Sequence, residues 1–287
     1  MVIYNPKDWW KLIFAFHKSD TFRIMLPGIL GMVVYSTLII FLEKDVFDVS
    51  FKNTTSIHSL VGFALSMLLV FRTNTAYERW WEGRKLWGGF VNSSRNLAFK
   101  LNPMITDKVI KTRIRILLVN YLNAAKEQLR KGVSHTDLQP TDRYSIADMM
   151  KDEHVPNCIL KYIHIELYEL LKNGTFTQEQ MLYINAELQS LGDNMGACER
   201  IKKTPIPYSY SIFLKKIIFI YIASMPFGFA MEFGYWTAPI VALLFYVFAS
   251  IELIAEEIED PFGTDANDLP TDQITDTIEK NLEEILG

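Results

Sequence analysis

The chain has 287 residues, of which 49% are hydrophobic and 13% aromatic, and its 29 Lys+Arg against 33 Asp+Glu give a formal net charge of −4. That balance excludes the dominant basic surface that nucleic-acid binding requires, so no nucleic-acid partner is expected. The length accommodates one large domain or two small ones, and two cysteines in charged, polar surroundings, Cys158 and Cys198, imply no disulfide framework.

Four apolar runs are expected to cross a membrane. Ile24–Leu42 is 19 residues without a charge, close to the roughly 20 apolar residues a helix needs to span a bilayer. The 23 residues before it, with Trp9, Trp10 and several charges, and the lack of a small-residue cleavage site after it argue against a signal peptide. Ile57–Phe71 is short by itself. Its helix is expected to start at the hydroxyls of Thr54–Ser56 and to run past Arg72, giving a span over about 54–79. The stretch Val61–Arg84 (VGFALSMLLVFRTNTAYERWWEGR) has no Pro, and within it Phe63, Met67 and Phe71 recur every four residues. They therefore share one helical face, which either packs on a neighbouring helix or lines an apolar constriction around an aqueous path. Trp80 and Trp81 suit the membrane–water boundary.

The middle segment, about 80–210, is polar with helical periodicity. Ile110, Ile114, Leu117, Leu118 and Tyr121 mark one amphipathic helix and Cys158 to Leu171 another, and Gly174-Thr175 followed by Gln178 marks a turn and a new helix start. A third span is expected over about 217–233, kinked at Pro226. A tight interfacial turn at Glu232–Trp236 follows, then a fourth span over about 236–254, and an amphipathic helix at Ile274–Leu286 closes the chain. No strand alternation and no internal repeat is evident. Lys7, Lys11, Lys18 and Arg23 before the first run, Arg72, Arg79, Arg84 and Lys85 after the second, and Lys202, Lys203, Lys215 and Lys216 before the third place both termini and the parts at about 80–210 and 256–287 in the cytoplasm of an inner or plasma membrane.

Enzyme signatures are missing. The five His residues show no paired metal-ligand spacing, although His154 and His164 lie near Glu153 and Glu166, and there is no phosphate loop and no nucleophile elbow. The spans carry no charge at membrane depth before Arg72 and no inverted repeat, which disfavours a proton-coupled transporter. A non-enzymatic role is expected.

Thr73–Gly88 (TNTAYERWWEGRKLWG) resembles the bestrophin signature, in which an Arg-Trp-Trp triplet follows the pore helix. Ile206-Pro207 before the third run and Asp260-Pro261-Phe262-Gly263 after the fourth resemble the same family, in the same order, from about Ile24 to Leu269. Without a long C-terminal tail, the chain looks like a prokaryotic member.

The resemblance implies an all-α membrane protein with four transmembrane helices and a helical cytosolic part, assembled as a homopentamer around one central pore that passes small monovalent ions through the lipid bilayer. The family's neck residues sit at i, i+4 and i+8 and end eight residues before the Arg of the triplet; counting back from Arg79 gives Phe71, Met67 and Phe63, the residues the periodicity had selected. Five copies of each would form a dewetted gate, and the interleaved Gly62, Ala64 and Ser66 would let neighbouring helices approach. A cytosolic aperture is implied near Met181, within one or two residues. Animal members hold Ca²⁺ in an acidic run after the Pro-Phe-Gly; here Asp265 and Asp268 match its side-chain ligands, whereas Ala266 and Asn267 carry no charge. The sign of the permeating ion stays open, with a slight lean towards cations from the acids of Glu43–Asp48. The alternative to a channel is a membrane-anchored helical scaffold or sensor.

Overall fold

The structure is a computed structural model and describes Lys7, Trp10 and residues 20–47 and 55–287. All its regular elements are helical: α1 (Asp20–Phe41), a π-helical turn (Leu42–Val46), α2 (Thr55–Met104), α3 (Lys108–Arg130), a short α4 (Ile146–Met149), α5 (Val155–Lys172), α6 (Gln178–Lys203), α7 (Tyr208–Phe233), α8 (Thr237–Glu259) and α9 (Thr271–Leu286). Helical stretches within Thr21–Val46, Ser56–Met104 and Tyr208–Glu259 are long and apolar enough to cross a membrane. The expected start at Thr54, the cations Lys11 and Lys18, and the end of the acidic loop at Asp48 lie outside the described residues.

Helix ends follow the local chemistry. The Asp107 carboxylate accepts the N–H groups of Val109 and Ile110 at the start of α3, and Thr177 and Gln180 form a reciprocal capping box at the start of α6. Gly174, at φ +75°, makes the turn before it. α7 continues through Pro226 and ends at Gly234, whose φ of +57° starts the tight turn into α8.

The chain divides into two compact units. One comprises the described residues up to Arg79 together with Pro205–Glu259. Here α1 packs on α7 and α8, and Met32, Leu65, Leu69, Ile218, Ile222, Met225 and Val241 form its core. The other comprises Trp80–Thr204 and Asp260–Gly287, with α3 packed on α5, α6 and α9. Trp87, Phe90 and Tyr121, all fully buried, contact edge to face at its centre, each such side chain contributing about 1.5–3 kcal/mol by burial. Thr271, Thr275, Ile278, Leu282 and Leu286 give α9 its buried stripe. Glu166, 3% exposed, accepts hydrogen bonds from Arg113, Arg143 and the Tyr144 hydroxyl, which ties the segment between α3 and α5 to α5.

Candidate functional site: the exposed face of α2 and the segments that brace it

α2 is buried on one side only in its first half. Leu65, Leu69, Arg72 and Ala76 are between 0% and 3% exposed. At about 100° per residue, Phe63, Met67 and Phe71 project away from that side, and they are 66%, 46% and 57% exposed. Three bulky apolar side chains thus lie in a row where this chain supplies no cover. Gly62 faces α7: a Cβ there would fall 2.5 Å from the Tyr221 hydroxyl oxygen. Ala64 and Ser66 are exposed beside the row, with the Ser66 hydroxyl bonded back to the Gly62 carbonyl at 2.8 Å.

The residue after the row is a buried cation. Arg72 Nη2 donates to Glu259 Oε2 at 2.8 Å and Nε to Glu252 Oε1 at 3.4 Å. Glu259 does more than neutralise it. Its Oε1 accepts the Ile206 N–H at 2.6 Å, and its carbonyl accepts Arg79 Nε–H at 3.1 Å. One residue therefore joins the end of the exposed row, the Ile206-Pro207 entry to α7 and the end of α8. Periodicity had marked Arg72 only as a charge flanking a span. The available signal was its place directly after an apolar run, with Glu252 inside another apolar run, because each such charge needs a partner.

Beyond α8 the chain turns at Pro261-Phe262-Gly263. Phe262 is 1% exposed and lies against Gly83, where a Cβ would be 3.1 Å from its ring. The Trp80 indole N–H donates to the Asn267 carbonyl at 3.0 Å, so the first Trp of the triplet holds the loop, and Trp81 stacks beside it, 49% exposed. In that loop Asp268 is 1% exposed, its Oδ2 accepts the Asp265 N–H at 2.6 Å, and its buried Oδ1 has no partner. Burial pushes the Asp268 carboxyl up to about 6. Asp265 is exposed. An orphaned carboxylate oxygen is the kind of atom a hard cation satisfies, yet among the described residues no three acidic, His or Cys side chains gather at one point.

Met181 is half-buried against the helical core, whereas the next residue, Leu182, is 76% exposed. His154 serves as a helix cap: its Nδ1 accepts the Asn157 N–H at 3.1 Å and its Nε2 meets Glu199 Oε1 at 3.0 Å. Cys158 and Cys198 are buried, and burial pushes the Cys198 thiol up to about 12, which leaves it inert. Of the acids that favoured cations, Glu43 is buried, 6% exposed, with neither carboxylate oxygen hydrogen-bonded, and Asp45 accepts the Tyr235 hydroxyl.

Residues 1–284 match the family model described as Bacterial/Fungal Bestrophin protein. A voltage-dependent anion channel-forming protein of Nostoc sp. is 32% identical over 97% of this chain and 92% of its own. One of Escherichia coli is 30% identical over 98% and 93%. The crystal structure of a bacterial bestrophin homolog from Klebsiella pneumoniae superposes with a TM-score of 0.85 at 30% identity, over 92% of this chain and 98% of that one. Both curated relatives are named for anions, which corrects the lean towards cations.

Proposed function

This chain belongs to the bacterial and fungal bestrophin family, and from that premise we propose that it is the protomer of a homopentameric ion channel. The observation that carries the reading is the uncovered row of Phe63, Met67 and Phe71, set opposite the buried face of α2. One row cannot enclose a pore, but five copies related by a cyclic axis can. The rings they form would exclude a continuous water column when narrow and admit ions when wide.

In this reading α1, the first part of α2 to about residue 79, α7 and α8 are the four spans, and both termini and the other unit face the cytoplasm of an inner or plasma membrane. The permeant species is a small anion, as the names of the curated relatives suggest; an apolar neck sets no sign by itself. The second constriction falls at Met181 or its neighbour. Leu182 suits that role better, because a pore-lining side chain must be exposed on the separate protomer. Asp265 and Asp268 supply the carboxylates of a Ca²⁺ site in which loop carbonyls complete the shell.

Purified protein reconstituted in a planar bilayer under a salt gradient tests the whole reading. Discrete conductance with a reversal potential on the anion side, together with a pentameric mass in mild detergent, is expected. A monomeric mass in several detergents or a silent bilayer refutes the channel and favours a membrane-anchored scaffold, and a cation-side reversal refutes the anion assignment alone.

A further inference from the structure

A groove between α1, α7 and α8 is unused by the reading above. One part, of about 330 Å³, is walled by Met25, Ile218, Phe219 and Phe245 and ends at Lys215, Glu252 and Glu256. A second part, of about 490 Å³, shares Phe219 and Phe245 and continues over Gly28, Gly31 and Tyr35. The glycines set its width. A Cβ at Gly28 would lie 2.8 Å from the Phe245 ring, whereas a Cβ at Gly31 would meet nothing within 4 Å. The result is an elongated apolar slot with a charged group of side chains at one end only.

That end carries both signs in a fixed arrangement. Lys215 Nζ donates to both oxygens of Glu256, at 2.9 and 2.8 Å, and both side chains are about half exposed, at 46% and 51%. Glu252 sits behind them, 4% exposed. Its Oε1 receives only the 3.4 Å contact from Arg72, and its Oε2 is buried without a partner. The mouth therefore offers one ammonium to a phosphate, and two carboxylates to a donor of N–H bonds. A headgroup with only negative charge would satisfy neither Glu256 once its lysine is drawn away nor the Glu252 oxygen that Arg72 leaves unpartnered. A quaternary ammonium would bring charge but no hydrogen to the unsatisfied oxygen.

We propose that this groove is a binding site for an amino-headed zwitterionic phospholipid, one acyl chain lying along Phe219, Phe245 and Gly31, its phosphate on Lys215 and its primary ammonium on Glu256 and Glu252. The site depends on the membrane location of this unit and not on whether the assembly conducts, so it stands or falls apart from the pore.

The test uses the full chain, stripped of lipid in detergent and titrated with phospholipids of matched acyl chains while native mass spectrometry counts the lipids retained. The probes are phosphatidylethanolamine, its N-methyl and N,N-dimethyl forms, phosphatidylcholine and phosphatidylglycerol. Retention is expected to fall stepwise as methyl groups replace hydrogens, to roughly a tenth for phosphatidylcholine, with phosphatidylglycerol no better. Gly31→Leu, which fills the slot, and the pair Lys215→Met with Glu256→Gln, which strips the mouth, are each expected to reduce retention of phosphatidylethanolamine about tenfold, with an unchanged elution volume and melting temperature. Equal retention of all five lipids would reduce the groove to ordinary annular contact and overturn the proposal. So would binding that survives both variants, or no retained lipid because a second copy of the chain covers the slot. The methylation series on the unmodified protein decides the matter even if a variant fails to fold.

Discussion

Arg72 is a buried cation held between Glu252 and Glu259. It is 1% exposed, and its two acidic partners have side chains 5% and 13% exposed, so Arg72→Met strands two carboxylates away from water. Removing one partner of a buried ion pair typically costs about 3–5 kcal/mol, most of it the desolvation of the charge left behind. At roughly 2–4 °C per kcal/mol for a chain of this size class, the melting temperature is expected to fall by about 6–20 °C. The two contacts are unequal. The 2.8 Å bond to Glu259 lies in the range of strong charge-assisted hydrogen bonds, while the 3.4 Å approach to Glu252 lies beyond the usual N–H···O distance. Double-mutant cycles with Glu259→Gln and Glu252→Gln should therefore give a coupling of about 2–3 kcal/mol for the first pair and under about 1 kcal/mol for the second. Intrinsic-fluorescence melting in one detergent at one pH measures all six proteins. A shift for Arg72→Met of less than about 2 °C, or a larger coupling to Glu252 than to Glu259, would show the assigned bonding to be wrong.

Replacing Phe63, Met67 and Phe71 together by Ala is expected to raise single-channel conductance several-fold with the oligomeric mass unchanged; unchanged current with loss of assembly would mean that the row packs between protomers. Gly62→Ala gains about 1 kcal/mol of helix propensity but drives a methyl group against Tyr221, a strain of about 1–3 kcal/mol, so it should lower the melting temperature, and Tyr221→Phe should restore much of the loss. Asp268 titrates at about 6 in the fold against an ordinary 3.8. The folded state thus binds more protons than the unfolded one between these values, and stability falls as pH rises from about 4 to about 6. Asp268→Asn should melt higher than the parent at pH 7.5 and equally at pH 4; a variant that melts lower at pH 7.5 would contradict this. Added Ca²⁺ that stabilises the parent above pH 6 and leaves the variant unmoved would establish the cation site, and no effect on either would remove it.

Much of the helical layout was readable because it rests on local rules. Period and charge marked the long apolar runs, and α6 begins beside the predicted turn at Gly174 because Thr177 and Gln180 cap it with their own side chains. The row at Phe63, Met67 and Phe71 was legible for the same reason, since the 3.6-residue turn alone puts i, i+4 and i+8 together. What could not be read was pairing across the chain. Arg72 and Glu259 are 187 residues apart in sequence, and no periodic pattern links them. Counting residues pointed to Met181 for the proposed aperture but could not decide which face of α6 turns outwards, and Leu182 proves to be an exposed neighbour. Glu43 looked like a loop acid because the apolar run ends at Leu42; in the structure the helix continues there as a wider π-turn, and the carboxylate is buried.

From Phe63 to Arg79, α2 contains neither Pro nor Gly, and its hydrogen-bonded ladder is unbroken. Such a segment has no hinge. In the pore reading, the neck then has two ways to widen: the three side chains change rotamer on a stationary backbone, or the whole rod tilts or slides. Rotamer changes run in picoseconds to nanoseconds and collective helix movements in microseconds to milliseconds. The first would appear as a smeared open level with no resolvable closures, the second as square steps with measurable dwell times. The kinetics of a single-channel record would therefore report which part of the helix moves.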